Sequence, residues 1–150
     1  ISFMAGSVKK GKPFFLYLPF TQTHMPTLPH PDFSGKTGNG DYADALAELD
    51  FRAGQILDAI DDLRIRANTV VIWTSDNGPS ARSPHGTAGY WRGRVHQALE
   101  GSIRTPFLMR WPGKIKPGSV NNEIVHITDM MPTLARVADY QLPNDPPVSG

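Results

Sequence analysis

Asp76 and Asn77 stand side by side where the apolar run of "TVVIWTSDNGPS", residues 69–80, breaks off. Together they offer a charged and a neutral oxygen from one short turn, a donor pair suited to a hard cation such as Ca²⁺ or Mg²⁺. The plain alternative is a surface turn, since Asp, Asn, Gly and Pro all favour one. His24, in "TQTHMP", follows another apolar run and is a candidate hydrogen-bond donor or general acid. A third group lies in "YWRGRVHQALEGSIRTPF", where Arg92, Arg94, His96, Glu100 and Arg104 share a Gly-containing loop. Such a cationic loop suits an oxyanion, sulfate or phosphate. The competing reading is a solvated loop whose arginines pair with local acids, and Arg104 is expected to have that structural role beside Glu100. His30, His85 and His126 have weaker claims and are taken as structural. The tandem acids Asp61-Asp62 are expected on a solvated helix face.

These residues matter only if the chain brings them together. "PFFLYLPF", residues 13–20, is a short continuous apolar run, as in a strand buried on both faces. Downstream, Ala45, Leu49, Ala53, Ile56, Ile60 and Leu63 recur at steps of four and three, predicting an amphipathic helix with Asn39 or Asp41 as N-cap. "NTVVIWTS" follows as a second strand rich in β-branched residues. Strand, helix and strand make a βαβ unit, in which both strands end on one edge of a parallel sheet. His24 and Asp76-Asn77 are then expected in one crevice at that edge. "TPFLMRW" predicts a third strand, and "EIVHITDMMPTLARVAD" a short strand running into a helix, with Thr128 or Asp129 as cap and Pro132 in its first turn.

The totals fit this picture. At 150 residues, with 39% hydrophobic and 19% charged residues, the chain is long enough for one domain with a core. A net charge of +1 gives no electrostatic reason to expect a nucleic-acid partner, and no apolar run approaches a membrane span. There is no Cys, which excludes a disulfide framework, a thiolate metal site and a Cys nucleophile, and leaves the compartment open. The opening "ISFMAGSVKKGKPFF" lacks an initiator Met and looks like the interior of a longer protein.

In order, "KPFFLYLPFTQTHMP", "YADALAELDFRAGQILDAIDDLRIRANTVVIWTSDNGP", "RG…LEGSIRTPFLMRWPGKIKPG" and "HITDMMPTLARVA" resemble the sulfatase family of the alkaline phosphatase superfamily. The resemblance implies an α/β/α layered sandwich with a mostly parallel central sheet. Residues 1–140 would be the C-terminal portion of the catalytic domain, and 141–150 a loop or linker. It implies Asp76 and Asn77 as ligands of a divalent cation, usually Ca²⁺, and His24 as the residue near the leaving oxygen of a sulfate ester. It implies a sulfated small molecule or carbohydrate as substrate, and a periplasmic or secreted compartment. Members carry a sulfate-binding Lys where this chain has Val95, which leaves Arg94 and His96 as candidates on either side. Their formylglycine nucleophile arises in a C/S-x-P-S-R motif that these 150 residues lack. The remaining N-terminal half of the domain is therefore the expected partner, and the chain alone is expected to be inactive. A phosphodiesterase or phosphonate monoester hydrolase of the same superfamily, and a non-catalytic anion- or carbohydrate-binding remnant, are the alternatives.

Overall fold

The computed structural model describes residues 1–80 and 86–143. His85 and most of the expected linker at 141–150 lie outside the described residues. The chain forms two compact units, Ile1–Pro117 and Gly118–Gly150.

In the first unit, α1 (Ser2–Lys9) precedes the first apolar run. Local propensity does not announce it, because Ser2, Gly6, Ser7 and Val8 are weak helix formers. Tertiary burial compensates: Met4 is 1% exposed and packs with Ala59 and Ile60. The long amphipathic helix is α2 (Asp41–Asp62), as the periodicity predicts. Its N-cap is neither Asn39 nor Asp41 but Gly40, whose φ of 84° favours a residue without Cβ. The Asn39 side chain instead donates to the Thr37 carbonyl. Phe14, Leu16, Ile56, Leu63, Ile65 and Val71 surround the Met4–Ala59–Ile60 centre.

The second predicted strand is β1 (Val71–Thr74), and the third is β2 (Phe107–Arg110). They pair antiparallel, Val71 opposite Arg110 and Thr74 opposite Phe107. This two-stranded sheet is the one found among the described residues, so the parallel ladder expected between residues 13–20 and β1 is not displayed. Residues 14–17 keep the side-chain alternation of an extended segment, while Leu18 and Phe20 beyond them are exposed. Phe14 and Leu16 face the core, while Phe15 and Tyr17 are exposed. Phe20 meets Trp73 of β1 ring to ring, 5.9 Å between centroids, so the segment touches the sheet through side chains rather than backbone.

At the far end of α2, Asp61 is not simply solvated. It pairs with Arg66 at 3.2 Å and Arg110 of β2 at 3.8 Å. Arg110 has buried Nε and Nη2 atoms with no hydrogen-bond partner, so Asp61 is the charge that balances them.

The second unit holds a 3₁₀ turn (Ile127–Asp129) leading into the helix Met130–Val137, with Pro132 in the first turn as expected. No strand precedes it; residues 123–126 are irregular and exposed. The helix N-cap is Asp129, one of the two expected, without a side-chain cap bond, and His126 caps the 3₁₀ turn before it. Its ring accepts from the Thr128 N–H, while the Asp129 carboxylate accepts from the His126 N–H at 2.7 Å. No helix is long and apolar enough to cross a membrane, among the described residues.

Candidate active site

Two residues past β1 the chain turns through Asp76, Asn77 and Gly78. Ser75 Oγ donates to the Asn77 carbonyl, and Asn77 Nδ2 donates to the Gly78 carbonyl at 2.9 Å. That second bond directs the amide nitrogen inward to the backbone and leaves Oδ1 as an acceptor. Asp76 and Asn77 are both exposed. The Asp76 carboxylate makes no ion pair among the described residues.

Backbone contacts lock this turn to two distant stretches. Gly78 N–H donates to the Ser102 carbonyl at 2.8 Å, and Val95 N–H to the Pro79 carbonyl at 3.0 Å. A Cβ on Gly78 would lie 1.9 Å from the Gly101 carbonyl oxygen, so only glycine allows this approach. Gly101, in the short helix α3 (Glu100–Ile103), is held the same way. Its N–H donates to the Arg92 carbonyl at 2.9 Å, and a Cβ there would meet Gly93 O at 2.6 Å and Trp91 O at 2.7 Å. The turn, the arginine loop and α3 therefore form one interlocked backbone.

The interlock brings Arg94 to the chain just past the turn. Its guanidinium donates to the Ser80 carbonyl at 2.8 Å and helps to line a cavity of about 360 Å³ with Pro79, Trp91 and Gln97. Residues 94–97 close a tight turn, Gln97 N–H to Arg94 O at 3.2 Å, with the Gln97 side chain accepting from Arg94 N–H. His96 occupies the third position of that turn with φ of 70°, exposed and outside the cavity lining. Arg104 behaves as expected: it pairs with Glu100 and stacks over Trp91, 4.3 Å from the ring centre.

His24 follows the extended segment at residues 13–20. It is exposed, four residues beyond Phe20, whose ring packs on Trp73 three residues before Asp76. That ring contact is what relates the His24 segment to β1, and no bond joins His24 to Asp76 among the described residues. His24 Nδ1 lies 2.7 Å from the Met25 carbonyl, which can only accept, so Nδ1 carries a proton.

A family model described as Sulfatase matches residues 2–140. The chain belongs to the sulfatase family. It is 37% identical over 147 residues to an N-acetylgalactosamine-6-O-sulfatase of Bacteroides thetaiotaomicron, covering 91% of this chain and 29% of that protein. It is 41% identical over 143 residues to arylsulfatase A of Bos taurus, covering 94% and 28%. It superposes with a TM-score of 0.89 on the crystal structure of PsFucS1 sulfatase from Pseudoalteromonas sp., at 31% identity, covering 96% of this chain and 30% of that one. The chain thus spans under a third of the length of these relatives.

In this sulfatase chain, Asp76 and Asn77 fit a hard divalent cation by donor type, with an exposed carboxylate and a free amide oxygen in one turn. They do not complete a shell. No group of three or more His, Asp or Glu gathers as a metal site among the described residues.

Sequence reasoning missed two buried acids on α2. Asp44, 1% exposed, accepts from Gly35 N–H at 2.7 Å, Thr37 N–H at 2.8 Å and Thr37 Oγ1 at 2.7 Å. Glu48 accepts from His30 N–H at 2.8 Å and from Arg52 Nε at 3.4 Å. The Thr37 hydroxyl, then the Thr37 and Gly35 amides, hold the Asp44 carboxyl below its ordinary range against the opposing effect of burial. The His30 amide and then Arg52 do the same for Glu48. Their i,i+4 spacing on the face of Ala45 and Leu49 was the available signal.

Proposed function

We propose that this chain supplies the cation-binding turn, the leaving-group histidine and an anion-binding arginine of a sulfate ester hydrolase. The observation that supports this is the glycine interlock, which ties the backbone of the Arg94 loop to the chain at Gly78 and Pro79, next in sequence to Asp76 and Asn77. Sulfate spreads its charge over several oxygens, and a carboxylate-held cation with a guanidinium nearby is the combination that recognises it.

Asp76 Oδ and Asn77 Oδ1 would hold Ca²⁺, or Mg²⁺, which when bound neutralises the sulfate oxygens. Arg94 is the better placed of the two anion candidates, because it lines the cavity and His96 does not. Its guanidinium would orient the ester and take up charge at its non-bridging oxygens. His24, with Nδ1–H held by the Met25 carbonyl, would present Nε2–H as imidazolium to the bridging oxygen and protonate the departing alcohol. The nucleophile, a formylglycine, would come from outside these 150 residues, so the chain alone is without turnover. The named relatives point to sulfated carbohydrates or small hydroxyl compounds as the substrate class.

The test is leaving-group dependence in the complete enzyme. If Nε2 protonates the leaving oxygen, His24→Ala costs far more on a sugar or alkyl sulfate than on nitrophenyl sulfate, whose phenolate departs without help. Equal losses on both substrates would remove His24 from the chemistry.

A further inference from the structure

We infer that Asp44 and Glu48 are positioning residues: from the first half of α2 they fix the loop whose near end carries His24. The inference rests on the reading of His24 given above.

An acid on a helix normally faces water, as Asp41, Asp50 and Asp58 of α2 do. Asp44 and Glu48 are buried instead, and every oxygen they use faces a donor from residues 30–37 or Arg52. The loop has few means of its own to hold shape. Its local bonds are turns at His30–Phe33, His30–Ser34 and Phe33–Lys36, with Asp32 N–H on His30 Nδ1. Its ring contact among the described residues is Phe33 on Phe51, 5.4 Å between rings, with Arg52 over both. Removing the two carboxylates would leave His30, Gly35 and Thr37 amides without acceptors.

The anchorage reaches His24 through a short, stiff link. Five residues separate His24 from His30, and Pro26 and Pro29 among them have fixed φ. Movement of His30 is therefore transmitted rather than absorbed. The other end of α2 carries Ile56, Ala59, Ile60 and Leu63 of the core that holds β1. One rigid helix of 22 residues, about 33 Å long, thus relates the His24 loop to the strand that delivers Asp76.

Asp44→Asn and Glu48→Gln keep shape but place an NH₂ where one oxygen accepted. Thr37→Ala, which deletes the hydroxyl that donates to Asp44 and accepts from Asn39 N–H, is the milder variant should either of these fail to fold. Asp50→Asn, an exposed acid on the same helix, is the control. The readouts are amide exchange along the chain and the His24 imidazole resonances. The expected result is exchange at Gly35, Thr37 and His30 faster by about tenfold or more. The β1 amides would change less than twofold, and the His24 resonances would shift. Unchanged exchange in the loop overturns the inference, and so does an opened loop with unmoved His24 signals. A shifted His24 with undiminished turnover of alkyl sulfates in the complete enzyme upholds the positioning and instead removes the catalytic role of His24.

Discussion

Replacing Gly78 by Ala tests the interlock at the centre of the site. The added Cβ would sit 1.9 Å from Gly101 O, 2.9 Å from Gly101 C and 3.0 Å from Ser102 Cα, all backbone atoms that no rotamer change can move. An ordinary carbon–oxygen contact is about 3.4 Å, so turn and α3 must part by about 1.5 Å. That separation breaks the Gly78–Ser102 bond and stretches the neighbouring Val95–Pro79 bond. Two backbone bonds at about 1 kcal/mol each, plus about 1 kcal/mol of residual crowding, give a loss of about 3 kcal/mol. For a chain of this size that lowers Tm by about 9 °C. Gly54→Ala is the comparison: a Cβ at that position of α2 would meet nothing within 4 Å. Alanine there should stabilise by about 0.5–1 kcal/mol. Thermal melts of the two variants decide the matter. A Gly78→Ala melt within about 2 °C of the parent would refute the close approach, and with it the placement of Arg94.

Three other outcomes are expected. The Asp44 and Glu48 carboxyls lie below their ordinary values of 3.8 and 4.5, so their contribution is complete above those values and fades as pH falls through the lowered ones. Thr37 and Gly35 face Asp44, while Arg52 and His30, the latter paired with Asp32, face Glu48. Protection of the Gly35 and Thr37 amides should persist from pH 7 to pH 5 and fail only in stronger acid, as followed by exchange; loss already at pH 5 would contradict the network. Asp61→Asn should cost no more than about 1 kcal/mol in a denaturant titration at low salt, because the acid is partly exposed, and less at 1 M salt. Arg94→Ala in the complete enzyme should raise KM for a sulfate ester at least tenfold in steady-state kinetics, and His96→Ala less than twofold.

Much of the positioning was legible in the sequence. The steps of four and three from Ala45 to Leu63 gave α2 within a few residues, and the β-branched run gave β1, because period and residue type are local properties. Arg104 with Glu100 was visible at i,i+4. What escaped depends on contacts made at a distance. Met4 is buried by Ala59 and Ile60 of α2, far along the chain, so α1 formed from weak helix formers. The antiparallel pairing of β1 with β2 is a choice of partner, and an apolar run does not encode which edge it joins. Gly78 and Gly101 looked like turn residues, yet they are glycine because another backbone passes where Cβ would be. The 3₁₀ turn ahead of the last helix, capped by the His126 ring on the Thr128 N–H, carries no such local signal.

Calcium titration of the complete enzyme, with Asp76→Ala and Asn77→Ala beside the parent and turnover followed in parallel, tests the central claim most directly. A hard cation depends more on a carboxylate than on a neutral amide. Asp76→Ala should therefore weaken Ca²⁺ binding and turnover most, by about a hundredfold or more, and Asn77→Ala by about tenfold, while the 150-residue chain alone binds Ca²⁺ weakly through two oxygens where the ion takes six to eight. Parent affinity and parent turnover in both variants would contradict the account, and would leave the end of β1 as an ordinary surface turn.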